Sequence, residues 1–154
     1  MASRIDSTDE RILEELSVDG RMSVRALAEK LHISRANAYA RLQRLTEDGV
    51  IRGFHADIDP VAAGMGTSAY LTLNLRQAEW RNLREKLSAL PGVAHLALVG
   101  GEFDVLMLVR TRDNAGLRRL VLEDIQGMDG VLSTRTLLVF DEPPVAASTA
   151  ASAG

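Results

Sequence analysis

The sequence predicts an α+β chain of two parts, three short helices followed by a βαββαβ sheet unit. Three observations point there. Residues 6–49 carry three apolar stripes at helical spacing, each preceded by a capping side chain. Residues 67–75 alternate apolar and polar side chains without a break, the period of a strand with one buried face. Leu90-Pro91-Gly92-Val93 and Met128-Asp129-Gly130-Val131 echo one another, each closing a helix and opening a strand.

In the first part, Asp6 and Asp9 cap and charge a helix whose stripe is Ile12, Leu13 and Leu16, and Gly20 stops it. Ser23 caps a second helix with Leu27, Ala28 and Leu31 inward. The turn Leu31-His32-Ile33 leads to Ser34, the cap of a third helix, with Ala38, Leu42 and Leu45 inward and Gly49 as its stop. Two helices joined by so tight a turn form a helix-turn-helix candidate. Val50–Phe54 and Ala56–Ile58 are expected as two short strands, a wing, and Pro60, Gly64 and Gly66 mark a linker. The resulting division is a winged helix-turn-helix over 1–55, a linker over 56–66, a second domain over 67–142 and a disordered Ala/Ser/Pro-rich tail over 143–154.

In the second part, Ala69, Leu71, Leu73 and Leu75 share one face of the first strand. A helix follows with Trp80, Leu83, Leu87 and Leu90 inward, then strands at Val93–Val99 and Phe103–Val109. A helix from about Asn114 to Gln126 places Leu117, Leu120, Val121 and Ile125 inward, and the last strand is Val131–Phe140. Split βαβ repeats of this kind give a ferredoxin-like fold. Two helices cover only one face of the sheet. The two strands read as its middle ones, at 93–99 and 105–109, are nevertheless apolar on both faces, so the second face needs cover. A second copy of the sheet is the simplest source, with the wing, linker or tail as the alternative, and a two-fold dimer also suits palindromic DNA.

Composition narrows the class. Cysteine is absent, which fits a reducing cytosol, and no apolar run has the length of a signal peptide or membrane span, so a soluble cytoplasmic protein is expected. Net charge is −3, yet residues 21–52 hold seven bases against three acids while residues 1–20 hold two against six. Such local polarity suits a polyanion partner, although an ordinary solvated helix surface explains it as well. His32, His55 and His95 lack metal-ligand spacing, and no phosphate-binding loop or nucleophile motif occurs, so neither an enzyme nor a metal site is expected.

Taken in order, a set of segments resembles the leucine-responsive/asparagine-regulatory (Lrp/AsnC) transcription regulators over about residues 5–142. They are Ile5-Asp6, Asp9–Leu13, Asp19–Ser23, Leu27-Ala28, Ile33-Ser34, Arg41–Leu45, Gly49–Phe54, Pro91–Val93, Gly101–Asp104 and Thr134–Thr136. The resemblance implies a winged helix-turn-helix followed by an effector-sensing RAM/ACT-like domain. It further implies homodimers that assemble into higher oligomers such as octamers, amino acids as effectors without another cofactor, and double-stranded DNA as partner. Many members carry proline just after the serine that opens the recognition helix. Arg35 stands there instead, so no operator sequence is carried over.

With Ala38, Leu42 and Leu45 inward, the third helix turns Ser34, Arg35, Asn37, Arg41 and Arg44 outward, with Tyr39 bordering them. Arg35 and Asn37, nearest its N-terminus, are the candidates for base readout, since arginine matches guanine and asparagine adenine. Ser34, Arg41 and Arg44 are candidates for phosphate contact, supported by Ser23, Arg25 and Arg52. For the effector, Gly100-Gly101 permits close backbone approach, with amide N–H groups for a carboxylate, and Asp104 offers a carboxylate for an ammonium group. The alternative for Asp104 is a tight turn with the acid paired to an arginine. The resemblance places the pocket around this loop, at an interface between dimers. It makes Gly101, Phe103 and Asp104 leading ligand residues, with Leu98, Val99, Gly100, Thr134, Thr136 and Leu138 as walls. A ligand-independent architectural DNA protein is the competing reading.

Overall fold

The computed structural model describes residues 5–143, in two compact units that divide between Asp57 and Ile58. The first unit contains α1 (Ser7–Val18), α2 (Val24–Leu31) and α3 (Arg35–Glu47). Capping fixes each start. Asp6 and Asp9 form a reciprocal capping box, each carboxylate accepting from the other's backbone N–H, at 3.1 and 2.9 Å. Ser23 and Ser34 accept from the N–H groups of Ala26 and Asn37, each at 3.1 Å. His32 takes the left-handed conformation (φ 55°) at the end of α2, which makes the turn into α3 possible without glycine. Ile12, Leu27, Leu31, Leu45 and Ile51 form the small core of this unit.

The two strands expected at 50–54 and 56–58 do not form within the chain. Among the described residues there is no strand between α3 and residue 67. A single residue, His55, separates the two segments read as strands, and even the tightest common hairpin needs two. Ile51 instead donates its N–H to the Leu45 carbonyl at 2.9 Å and buries its side chain, so the chain after α3 serves as a strap over the helical core. Asp59, within the stretch read as a linker, accepts from the N–H groups of Val61 and Ala62 and organises a compact turn. Apart from Pro143, the tail over 143–154 lies outside the described residues.

The second unit is an antiparallel sheet of β1 (Thr67–Leu75), β2 (Val93–Leu98), β3 (Val105–Thr111) and β4 (Val131–Leu138). Helix α4 (Trp80–Ser88) follows β1, after a 3-10 turn, and α5 (Asn114–Arg119) follows β3. The helix expected from 114 to about 126 changes character at Leu120 and runs to Ile125 as a π-turn, with Gln126 donating its N–H to the Val121 carbonyl at 2.9 Å. Strand order is β2-β3-β1-β4, the ferredoxin-like arrangement. This corrects the reading of 93–99 as a middle strand. The split repeat brings β3 and β1 to the centre and leaves β2 at an edge.

One face of the sheet is filled. Ala69, Leu71, Leu73, Val105, Met107 and Val109 pack beneath Leu83, Leu87, Leu117, Leu120, Val121 and Ile125. Gly92, at φ 87°, lets the chain enter β2 so close to β3 that an added Cβ would stand 2.5 Å from the Arg110 carbonyl oxygen. The other face holds Tyr70 and Thr72 of β1 opposite Leu108 and Leu106 of β3, flanked by Leu137 and Arg135 of β4. No helix covers it, and Tyr70 and Leu137 stay 38% and 49% exposed.

Candidate nucleic-acid interface and ligand site

The N-terminal half of α3 is the open part of the first unit. Ser34, Arg35, Asn37 and Tyr39 are exposed, Tyr39 by 61%, and Arg35 forms no ion pair among the described residues. Ser34 lends its oxygen to its own helix, as Ser23 does, so its backbone N–H and hydroxyl proton are what it can offer outward. Arg25 pairs with Glu29 at 2.9 Å, one helical turn on, while Arg52 is exposed.

Arg41 and Arg44 behave differently from the sequence expectation. Both are partly buried, drawn toward α1 by Asp9, whose side chain has no exposed surface. Arg44 donates from Nη2 to Asp9 Oδ2 at 2.6 Å. Arg41 donates from Nη1 to Asp9 Oδ1 at 2.8 Å and to both Asp6 oxygens at 2.8 and 2.7 Å. Its Nε donates to Asn37 Oδ1 at 2.7 Å. The outward-facing pair read from the helix is thus a clamp between α3 and the capping box of α1. Burial pushes the Asp9 carboxyl up, but hydrogen bonds from Arg44, the Asp6 N–H and Arg41 outweigh it and hold the group at about 2. Hydrogen bonding to Arg41 lowers Asp6, and Asp6 and Asp9 in turn raise Arg41.

The signal for this clamp is visible in retrospect. Asp9 stands at the head of the stripe Asp9, Ile12, Leu13, Leu16, so its carboxylate falls on the buried side of α1. A charge there demands partners, and the two arginines supply them.

In the second unit the loop after β2 carries the expected ligand residues, but the structure gathers only some of them. A depression of about 130 Å³ on the uncovered face is lined by Thr72, Asn74, Glu102, Phe103, Ser133, Thr134 and Arg135. Phe103 and Thr134 were expected, and the other five were not. Asp104 pairs with no arginine among the described residues, and one of its carboxylate oxygens is engaged by the backbone of β1. Its carboxylate accepts from the Leu75 N–H at 2.8 Å, while its own N–H donates to Leu73 at 2.9 Å. Its carbonyl takes the N–H of Val99, also at 2.9 Å. Strand register puts Leu98, Thr136 and Leu138 on the helix side, opposite Val105, Leu71 and Ala69, and so away from the depression. Gly100 and Gly101 border open space, and Gly101 sits at φ 130°, a conformation that favours glycine. On the lining of the depression Glu102 and Arg135 form an ion pair at 3.8 Å, both exposed. Counting outward from the loop glycines does not reveal this pair, because Arg135 arrives from the far edge strand.

Among the described residues no helix is long and apolar enough to cross a membrane, and no three His, Cys, Asp or Glu side chains group as metal ligands.

Comparison with known proteins adds three findings. A model described as winged helix-turn-helix DNA-binding matches residues 5–52, and one described as Lrp/AsnC ligand binding domain matches residues 68–145. The transcriptional regulator AldR of Mycolicibacterium smegmatis is 35% identical over 143 residues, covering 91% of this chain and 84% of AldR. The crystal structure of AldR of Mycobacterium tuberculosis is similar at a TM-score of 0.80 and 32% identity, over 93% of this chain and 99% of that one. A transcriptional regulator from Neisseria meningitidis, solved as an L-Met complex, shares the fold at a TM-score of 0.83 and 23% identity, over 93% and 94% of the two chains.

The clamp has a consequence in acid. A carboxyl held at about 2 in the folded chain, below its ordinary 3.8, contributes stability that is complete above pH 4 and fades as pH falls toward 2. Asp9→Asn should lower the thermal midpoint at pH 7 and flatten the fall in stability between pH 4 and 2. Denaturant melts across that range read both effects, and an unchanged acid limb in the variant contradicts the assignment.

Proposed function

The chain belongs to the Lrp/AsnC family of transcriptional regulators, and we propose that α3 reads duplex DNA while a zwitterionic amino acid on the uncovered sheet face modulates that reading. The chain is a DNA-binding regulator rather than an enzyme, as its relatives are. On α3, Arg35 and Asn37 are the base-reading side chains, because they are exposed at the N-terminal end of the helix that enters a groove in this motif. Ser34, Tyr39 and Arg52 flank them as backbone contacts, with Ser23 and Arg25 at the neighbouring helix start.

The opposed pair Glu102 and Arg135 supports the effector half of the reading. An α-amino acid presents an ammonium group and a carboxylate a short distance apart, and this exposed ion pair on the lining of a depression of about 130 Å³ offers the complementary charges once a ligand parts it. Hydroxyl and amide groups of Thr72, Asn74 and Ser133 line the floor, and the Phe103 ring supplies an apolar wall. The Neisseria meningitidis protein of the same fold was solved with L-Met, an amino acid of this general kind.

The same face is where a second copy belongs. Tyr70 and Leu137, exposed beside the half-buried Leu106 and the buried Leu108, form an apolar surface that no helix of the described residues covers, and a two-fold copy buries it by presenting the same residues. Pairing also encloses the rim of the depression, and larger assemblies such as octamers follow by stacking such dimers.

Thermal-shift screening against the proteinogenic amino acids, followed by DNA binding with and without each hit, tests the effector. At least one amino acid should raise the midpoint and change DNA affinity or assembly. Arg135→Ala should weaken that ligand by roughly tenfold or more, the loss expected for one charge-assisted hydrogen bond. Full-strength binding to the Arg135→Ala protein removes the pair from the site. Light scattering should give at least twice the chain mass of 16.7 kDa, and Leu137→Arg, at an exposed position of that face, should reduce it to one chain. A wild-type monomer contradicts the covered-face reading.

A further inference from the structure

The helix assigned to DNA reading carries two guanidinium groups that the fold turns inward. Asp6 and Asp9 carry two negative charges and Arg41 and Arg44 two positive ones, so the cluster is neutral as a whole. The hydrogen bonds from Arg41 and Arg44 described above lie between 2.6 and 2.8 Å. A phosphate approaching α3 would have to displace two carboxylates to recruit these arginines.

Resting on the reading of α3 given above, we propose that Asp9, assisted by Asp6, is a positioning residue for sequence discrimination. It holds Arg41 and Arg44 back from the phosphate backbone and keeps the Asn37 amide in place. Non-specific affinity for duplex DNA is almost wholly electrostatic, whereas base readout comes from directed contacts in the groove. Withholding two charges therefore removes sequence-independent affinity and leaves the directed contacts as a larger share of what holds the helix on DNA. The contact from Arg41 Nε to Asn37 Oδ1 acts in the same direction. It fixes the rotamer of a base-reading amide and leaves its NH2 group pointing elsewhere, which a freely rotating side chain does only part of the time. The helix thus reads through Arg35 and Asn37 while its remaining arginines stay neutralised.

The test uses the full-length protein and two probes of equal length. One is a duplex selected by the wild-type protein from a randomised pool, and the other is a mixed-sequence duplex. Binding of each is measured by anisotropy over a series of salt concentrations. Asp6→Asn is the first variant, because asparagine caps a helix as well as aspartate does while removing one carboxylate from Arg41. It should raise affinity for the mixed duplex about threefold or more at low salt and steepen the slope of log K against log salt by up to about 1. Asp9→Asn, which also releases Arg44, should steepen it by up to about 2. In both variants the preference for the selected duplex should shrink. Adding Arg41→Gln to Asp6→Asn should return the slope to the wild-type value, which identifies the released charge.

A purely structural clamp gives a different pattern. Both duplexes then weaken alike, in step with the folded fraction seen by circular dichroism, and the slope stays constant. That result overturns the proposal, as does an unchanged slope and preference in a fully folded Asp6→Asn protein. Should Asp9→Asn fail to fold, Asp6→Asn and its double variant decide the matter. A wild-type protein that binds neither duplex overturns the DNA reading of α3 itself, an outcome distinct from failure of the positioning role.

Discussion

A single carboxylate with no exposed surface organises the amino-terminal unit. Burying Asp9 costs free energy unless its lone pairs are filled, and the groups that fill them come from Arg41 and Arg44, 32 and 35 residues further along the chain. That requirement ties the start of α1 to the middle of α3, in a unit whose apolar core is small. It also fixes which side of α3 remains open. With Arg41 and Arg44 turned toward α1, the arginine that α3 leaves fully exposed is Arg35 in its first turn, beside Asn37. The clamp that stabilises the unit and the surface proposed to read DNA are therefore two consequences of one arrangement.

The second unit follows a different constraint. A sheet buries only those faces that something covers, and α4 and α5 cover one. The central strands β1 and β3 carry Leu106, Leu108 and Tyr70 on the other. Glu102 and Arg135 stand beside this surface at the edge of the depression, so whatever covers the apolar face also shapes the ligand site. Coupling between effector and assembly needs no longer route than that.

Local chemistry carried most of what the sequence disclosed. Asp6, Ser23 and Ser34 are caps because side-chain oxygens reach the N–H groups three residues on, a relation visible in any linear reading. The alternation in β1 and the two-faced apolar β3 were equally visible, and with them the ferredoxin-like pairing. What escaped was long-range or geometric. The segment 50–58 has strand-like composition but lacks room for a hairpin, so it lies as a strap over the helical core without the two expected strands. Arg41 and Arg44 lie on the outward arc of an isolated helix, and only the folded unit shows α1 reaching them. The bond from the Leu75 N–H to the Asp104 carboxylate was invisible because Leu75 lies on another strand. Arg135 was passed over because β4 crosses to the far edge before it meets the loop.

The division of labour along α3 is the claim from which the rest follows, and arginine side-chain NMR addresses it directly. Titrating the labelled protein with a selected duplex should shift and sharpen the Nε–H resonance of Arg35 while leaving those of Arg41 and Arg44 at their free-protein positions. Movement of the Arg41 and Arg44 signals with a stationary Arg35 would contradict the account.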